Sequence, residues 1–259
     1  MAEQASERAE LAGVPVMTAE EAVSLDDTAG KEGIKPEAMV NRVGYVSGQL
    51  ILKELIPRLV GKDVNEVVVT VLAGTGNKGA GALSAARNLA DAGVTVNVVL
   101  ARKVKEYKGH TKTVLDGLEK KAKKVYTGYN ERAFEQADLV VDGLIGCGLK
   151  GTPRASVSLL IKGANFSMKP SVAMDIPSGL NATTGMQSPV TLKASATLSV
   201  ILPKRGMLGD SNQAICGEIW LVDAGVPANV LTKHLGTEVP DPFKGEDYVR
   251  LTGGEEETA

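Results

Sequence analysis

Apolar positions in this chain recur with two different periods. From Thr18 onward, Ala22, Leu25 and Ala29 fall at helical spacing. Thr18-Ala19-Glu20-Glu21 has the form of a capping box, in which the Thr hydroxyl and the Glu carboxylate each satisfy a free backbone N–H. A second helix is expected from Pro36, with Val40, Val43, Ser47, Leu50 and Ile51 on one face and its end near Pro57. The period then shortens. Val67-Val68-Val69-Thr70-Val71-Leu72-Ala73 reads as a buried strand that runs straight into Gly74-Thr75-Gly76-Asn77-Lys78-Gly79. Ala80, Leu83, Ala86 and Ala90 restore helical spacing as far as Gly93.

The same alternation continues: a strand over 94–100, a helix over about 111–123 and a short strand at Val125-Tyr126. Leu139-Val140-Val141-Asp142 and Ser171-Val172-Ala173-Met174-Asp175 are two short apolar strands, each closed by an Asp, with a helix over about 155–164 between them. Strands near 196–202 and 218–222 come last. This order predicts an α/β fold: a Rossmann-like three-layer αβα domain with a mostly parallel, doubly wound sheet and N-terminal helices. Ligands bind such sheets beyond the carboxyl ends of the strands, where the glycine turn, Asp142 and Asp175 all fall. Residues 1–16 read as a flexible leader, 17–236 as the domain, and 237–259 as a surface tail with disordered final residues.

Composition narrows the picture. Hydrophobic residues make up 43% of the 259 but aromatics only 3%, so the core is aliphatic, as a buried parallel sheet requires. Lys plus Arg (29) nearly balances Asp plus Glu (31), which argues against a nucleic-acid binder. Cys147 and Cys216 are far apart and suit neither a disulfide framework nor a zinc site, and they point to a reducing compartment. No apolar run approaches the about 18 residues of a membrane span, and the polar N-terminus resembles no secretory signal. A cytoplasmic protein without membrane contact is the expectation.

Gly74-x-Gly76-x-x-Gly79 lies in the context its chemistry needs, after a strand and before a helix. Glycines let the backbone approach a ligand, and free N–H groups at the helix start attract phosphate. A purely structural turn is the plainer alternative. The dehydrogenase version fits poorly: about 20 residues on, where an acid would hold the ribose, the chain reads Ala101-Arg102-Lys103. Asp142 opens a glycine-rich loop through Thr152, and Asp175 opens Ile176-Pro177-Ser178-Gly179. An Asp there can cap its own turn, or it can bind a cation, hold ribose hydroxyls or move a proton. His110 and His234 are isolated and read as structural or surface residues, and Lys120 to Lys124 as a solvated helix face.

Taken together, Asp142-Gly143-Leu144-Ile145-Gly146-Cys147-Gly148-Leu149-Lys150-Gly151, Asp175-Ile176-Pro177-Ser178-Gly179-Leu180-Asn181, Lys193 to Thr197, Pro203-Lys204-Arg205-Gly206 and Gly217 to Pro227 resemble the NAD(P)H-hydrate epimerase family, also called the YjeF N-terminal domain. The likeness runs from about Met17 to about Gly236. It implies an isomerase of nicotinamide nucleotide repair that interconverts the R and S forms of hydrated NADH or NADPH. It also implies a homodimer, a bound potassium ion and a functional link to a separate NAD(P)H-hydrate dehydratase. By position, Asp175 would be the acid/base residue. Gly76, Asn77, Lys78 and Gly79, with Gly146, Cys147, Gly148, Leu149, Lys150, Gly151 and Thr152, would bind the nucleotide. Asp142 and Ser178 would be potassium ligands.

The chain also departs from the family pattern. Where the family reads G-P-G-N-N-G-G-D-G, this chain has Gly74-Thr75-Gly76-Asn77-Lys78-Gly79-Ala80-Gly81-Ala82. Lys78 replaces an Asn that is a potassium ligand, and Gly81 replaces an Asp expected to touch ligand. L-M-E-N-A-G becomes Met39-Val40-Asn41-Arg42-Val43-Gly44. Three readings of Lys78 stand: its ammonium takes the potassium position beside Asp142, it reaches a ligand phosphate, or it is exposed and the ion is lost. Three functions stand as well: an active epimerase, a binding or scaffold module that kept the fold, and an enzyme for another nucleotide-like ligand.

Overall fold

A computed structural model describes residues 8–252. The chain opens with a two-stranded ribbon, β1 (Glu10–Leu11) against β2 (Val14–Pro15), in the segment read as a leader. Leu11 and Val16 are buried there against Ile176, Leu180 and Met207, so the hydrophobic effect ties this stretch to the domain. The capping box at Thr18 then starts α1 (Ala19–Lys31), with both reciprocal bonds formed. Next is α2 (Pro36–Leu50), which Pro36 opens from the first turn, where its missing N–H costs nothing. The helix does not stop at Pro57. It runs on as a π-helical stretch, Ile51–Val60, that contains Pro57 and ends at Gly61 in the left-handed conformation.

From there strands and helices alternate. In order they are β3 (Val68–Ala73), α3 (Asn77–Asp91), β4 (Thr95–Leu100), α4 (Gly109–Glu119), β5 (Lys124–Thr127), α5 (Glu131–Glu135), β6 (Leu139–Gly143), α6 (Ala155–Phe166) and β7 (Ser171–Met174). The chain continues through β8 (Ala196–Val200), α7 (Asp210–Cys216), β9 (Glu218–Val222), α8 (Ala228–Leu235) and β10 (Tyr248–Thr252). The eight-stranded sheet has the order β10-β9-β8-β7-β6-β3-β4-β5 and is parallel except for β10.

Alternate residues of β3 divide between two cores, which makes the three layers. Val69, Val71 and Ala73 join the core beneath α2, α3 and α4, while Leu72 joins the smaller core beneath α6. From β3 the chain steps outward to β4 and β5, then returns to β6 on the other side of β3 and proceeds the opposite way. The crevice beyond the carboxyl ends of β3 and β6 is therefore the topological switch point, where this class of sheet binds ligands.

The segment read as a surface tail returns to the sheet. β10 pairs antiparallel with β9, and Tyr248 meets the ring of Trp220 edge-on at 5.9 Å. The final seven residues lie outside those described. No helix among the described residues is long and apolar enough to cross a membrane.

Candidate functional site

The turn after β3 is as tight as its glycines allow. A Cβ on Gly79 would sit 2.0 Å from the carbonyl oxygen of Gly74, and one on Gly74 would sit 2.1 Å from that of Leu144. Only glycine lets the β3 turn, the start of α3 and the β6 loop pack this closely. No side chain caps the N-terminus of α3, and Gly76, Asn77 and Lys78 at this end line the crevice.

β7 and β8, adjacent in the sheet, end in the same unusual way. Ile176 N–H donates to the Met174 carbonyl at 2.8 Å around Asp175, and Leu202 N–H donates to the Val200 carbonyl at 2.8 Å around Ile201. Each central residue has positive φ, 63° at Asp175 and 66° at Ile201. Such γ-turns are rare and strained, and φ in this range is especially unfavourable for a β-branched residue. Both residues line one cavity of about 400 Å³. Strain of this kind clusters at functional sites, where the surroundings must hold it in place.

The cavity is apolar on one side, with Leu25, Met39, Val40 and Val43 from α1 and α2. Its other side carries Gly76, Asn77, Lys78, Gly146, Cys147, Gly148, Asp175 and Lys204. Asp175 Oδ1 lies 2.6 Å from Lys204 Nζ, and the Cys147 thiol donates to Oδ2 at 3.2 Å. Burial pushes the Asp175 carboxyl up, but Lys204 by charge and hydrogen bond, with Cys147 and Lys78, outweighs it and holds the group below the ordinary carboxylate value. Burial and the same carboxylate push the Cys147 thiol well above its usual range, so it is no thiolate nucleophile. Lys204 is itself buried, and it donates to Val200 O at 2.9 Å, Leu202 O at 3.0 Å and Ser199 Oγ at 3.3 Å.

A second carboxyl faces the cavity from α1. Asp26 accepts from the Asn77 amide at 3.1 Å. Burial raises its pKa, and the nearby charges of Asp27 and Asp175 raise it further. Two carboxyls in one cavity thus have their proton affinities driven apart, the usual preparation for separate acid and base work.

Behind the Asp175 wall, Asp142 and Ser178 are fully buried and bonded to each other. The Ser178 hydroxyl donates to Asp142 Oδ1 at 2.7 Å and its N–H to Oδ2 at 2.9 Å, while Leu144 N–H donates to Oδ1 at 3.0 Å. Into this cluster reaches Lys78. Its Nζ lies 2.8 Å from Asp142 Oδ2, 3.0 Å from Ser178 Oγ, 3.1 Å from the Ile145 carbonyl and 2.7 Å from the Ile176 carbonyl. The ammonium is thus engaged by four protein oxygens.

The predicted residues therefore divide. Gly76, Asn77, Lys78, Gly146, Cys147, Gly148 and Asp175 meet around the cavity, and Asp142 and Ser178 stand directly behind it. Gly79 is buried beneath the turn, while Leu149, Lys150, Gly151 and Thr152 are not among the residues that line the cavity. Neither histidine approaches it. His234 sits between Thr28 Oγ1 and the Glu21 carbonyl and ties α8 to α1, and His110 meets Asn41. Sequence reasoning missed Asp26 and the role of Lys204. A charged residue inside Ile201-Leu202-Pro203-Lys204 was the available sign of the second.

A family model for the YjeF-related protein N-terminus matches residues 37–206, which include every strand from β3 to β8 and, of these polar groups, Asn77, Lys78, Asp142, Cys147, Asp175, Ser178 and Lys204 but not Asp26. This chain belongs to that family. Within the YjeF-related family it is similar to an NAD(P)H-hydrate epimerase of Dehalogenimonas lykanthroporepellens, with 34% identity over 79% of this chain and 81% of that one. An NAD(P)H-hydrate epimerase of Lentilactobacillus buchneri is 33% identical over 81% of this chain and 94% of its own. A bifunctional NAD(P)H-hydrate repair enzyme of Moorella thermoacetica is 28% identical over 85% of this chain, which spans 42% of that longer protein. The crystal structure of the yeast protein YNL200c shares the fold, with a TM-score of 0.78 and 20% identity over 92% of this chain and all of that one.

Proposed function

We propose that this YjeF-related chain interconverts the R and S forms of hydrated NADH or NADPH, an isomerase reaction in nicotinamide nucleotide repair. The carrying observation is Asp175, a carboxylate fixed by a strained turn at the switch-point cavity and kept ionised by Lys204. Inverting a carbon that bears a hydroxyl requires one of its bonds to break and re-form, and beside a ring nitrogen the bond to the hydroxyl oxygen is one that can. Departure of the hydroxyl next to a ring nitrogen leaves positive charge, which a fixed carboxylate stabilises without reorganising. Asp26, the carboxyl with the raised pKa, supplies and recovers the proton on the oxygen. The open N-terminus of α3 takes the ligand phosphates, and the apolar wall of α1 and α2 takes ring faces.

The potassium ion implied by the resemblance does not fit these residues. The Lys78 ammonium already stands among the oxygens that would hold it, and no step here uses a metal. The homodimer, the cytoplasmic location and the link to a separate dehydratase, which takes one epimer onward, rest on the resemblance and on relatives that are bifunctional repair enzymes.

The test is epimerisation of purified R- and S-hydrated NADH, followed by chromatography against the spontaneous rate. Acceleration that Asp175→Asn abolishes supports the proposal; no acceleration by the wild type removes it. A second reading, nucleotide binding without turnover, is favoured by Gly81, which leaves a cavity wall without the family's acid. Thermal stabilisation by NADP or ADP-ribose with no epimerisation would select it.

A further inference from the structure

We infer that the Lys78 ammonium is the permanent, covalently tethered occupant of a monovalent-cation site, so that this chain needs no free metal ion there. An ammonium has three N–H bonds to give. Lys78 Nζ nonetheless has four oxygens at 2.7–3.1 Å: one carboxylate, one hydroxyl and two backbone carbonyls. Such a set exceeds the ammonium's three donors, as the four oxygens around Lys204 Nζ also do. A spherical cation collects one, because it has no preferred directions and takes hard oxygen ligands on all sides.

The oxygens come from separate places in the chain. Asp142 lies near the end of β6 and Ile145 just after it, Ile176 and Ser178 follow β7, and the lysine rises from the first turn of α3. The ends of two strands are thereby pinned to one positive charge at the start of a helix. Only 5% of the Lys78 side chain is exposed and none of Asp142, so the pair lies out of water and its attraction is little screened. Every other bond to Asp142 comes from a neutral donor, which leaves Lys78 as the only ion-pair partner among the described residues. One positive charge replaces one positive charge, and the exchange leaves local electroneutrality intact.

This inference stands apart from the epimerase proposal, because its readout is stability and occupancy. The unfolding midpoint is measured in equal concentrations of KCl, NaCl and choline chloride for the wild type and for Lys78→Asn. The wild type is expected to agree within about 1 °C across the three salts. The variant, with the cage opened and a neutral oxygen in reach, is expected to fall in choline and to recover by about 2 °C or more in KCl. A folded Lys78→Asn protein indifferent to all three salts would show that the cage is no cation site, and would overturn the inference. Should the variant not fold in any salt, wild-type crystals soaked in RbCl decide. Rubidium scattering beside Asp142 and Ser178 refutes a permanent ammonium occupant, and its absence there upholds one.

Discussion

Lys204 Nζ and Asp175 Oδ1 form a 2.6 Å ion pair between the ends of two adjacent strands. The lysine is 2% exposed and also donates to the Val200 and Leu202 carbonyls on either side of Ile201 in the γ-turn. One side chain therefore supports the strained turn after β8 and sets the charge of the carboxylate after β7. Removing it should act on both.

Lys204→Met takes away the largest influence holding the Asp175 carboxyl down and leaves burial in command. If turnover needs the ionised form, the acidic limb of the pH–rate profile should move upward. Breaking the buried pair should also cost about 3 kcal/mol in denaturant unfolding. An acidic limb that stays in place would show that Asp175 does not act through its ionised form.

Asp26→Asn keeps the hydrogen-bonding shape beside Asn77 but cannot hand over a proton. Turnover should fall by about 100-fold or more while ligand affinity changes little. Separate measurement of kcat and KM checks this; an unchanged kcat would leave Asp26 as a wall residue only.

Two helix glycines should respond oppositely to alanine. At Gly81 a Cβ meets only ordinary contacts, Met174 Cε and Val43 Cγ1 at 3.7 Å, so Gly81→Ala should gain about 0.5–1 kcal/mol from helix propensity. At Gly44 a Cβ would lie 2.2 Å from Ser84 Cβ, where α2 crosses α3, and Gly44→Ala should lose about 2 kcal/mol or more. Urea titration of both proteins tests the pair, and equal effects would contradict the close helix crossing.

Stability should fall in acid through Glu21 as well as Asp175. The Arg8 guanidinium beside Glu21 holds that carboxyl at about 2, against 4.5 for the free group. The folded value is the lower one, so the stabilisation is complete above pH 4.5 and is lost as pH falls toward 2. Over that window the wild type should lose about 1 kcal/mol more than Glu21→Gln, because solvent screens this partly exposed pair. Parallel acid-unfolding curves for the two proteins would refute the assignment.

Much of the fold was legible because period and turn chemistry are local. The capping box at Thr18, the helix after Pro36, the strand–glycine–helix unit at 68–91 and the Asp-ended strands all formed. The failures have local causes too. α5, α7 and α8 are 5, 7 and 8 residues long, too short for a helical period to show. β10 lies in a polar, Pro- and Gly-rich stretch with half-buried side chains, and only pairing with β9 makes it a strand. Pro57 reads as a helix stop, yet the wider π-type winding carries the chain past it.

The amino-acid order alone determined that a phosphate-type turn, Asp142 and Asp175 would stand together at strand ends, because a parallel sheet brings every such end to one edge. It also marked Lys78 as the departure that matters, but left its ammonium three destinations. The tertiary structure puts it against Asp142, Ser178 and the Ile145 and Ile176 carbonyls. The four oxygens around Nζ belong to loops that meet only after β3, β6 and β7 are neighbours in the sheet, and the energy of a buried charge depends on that meeting. The same holds for Lys204 and Asp26, which reach Asp175 and Asn77 through space and leave no period in the chain to be read.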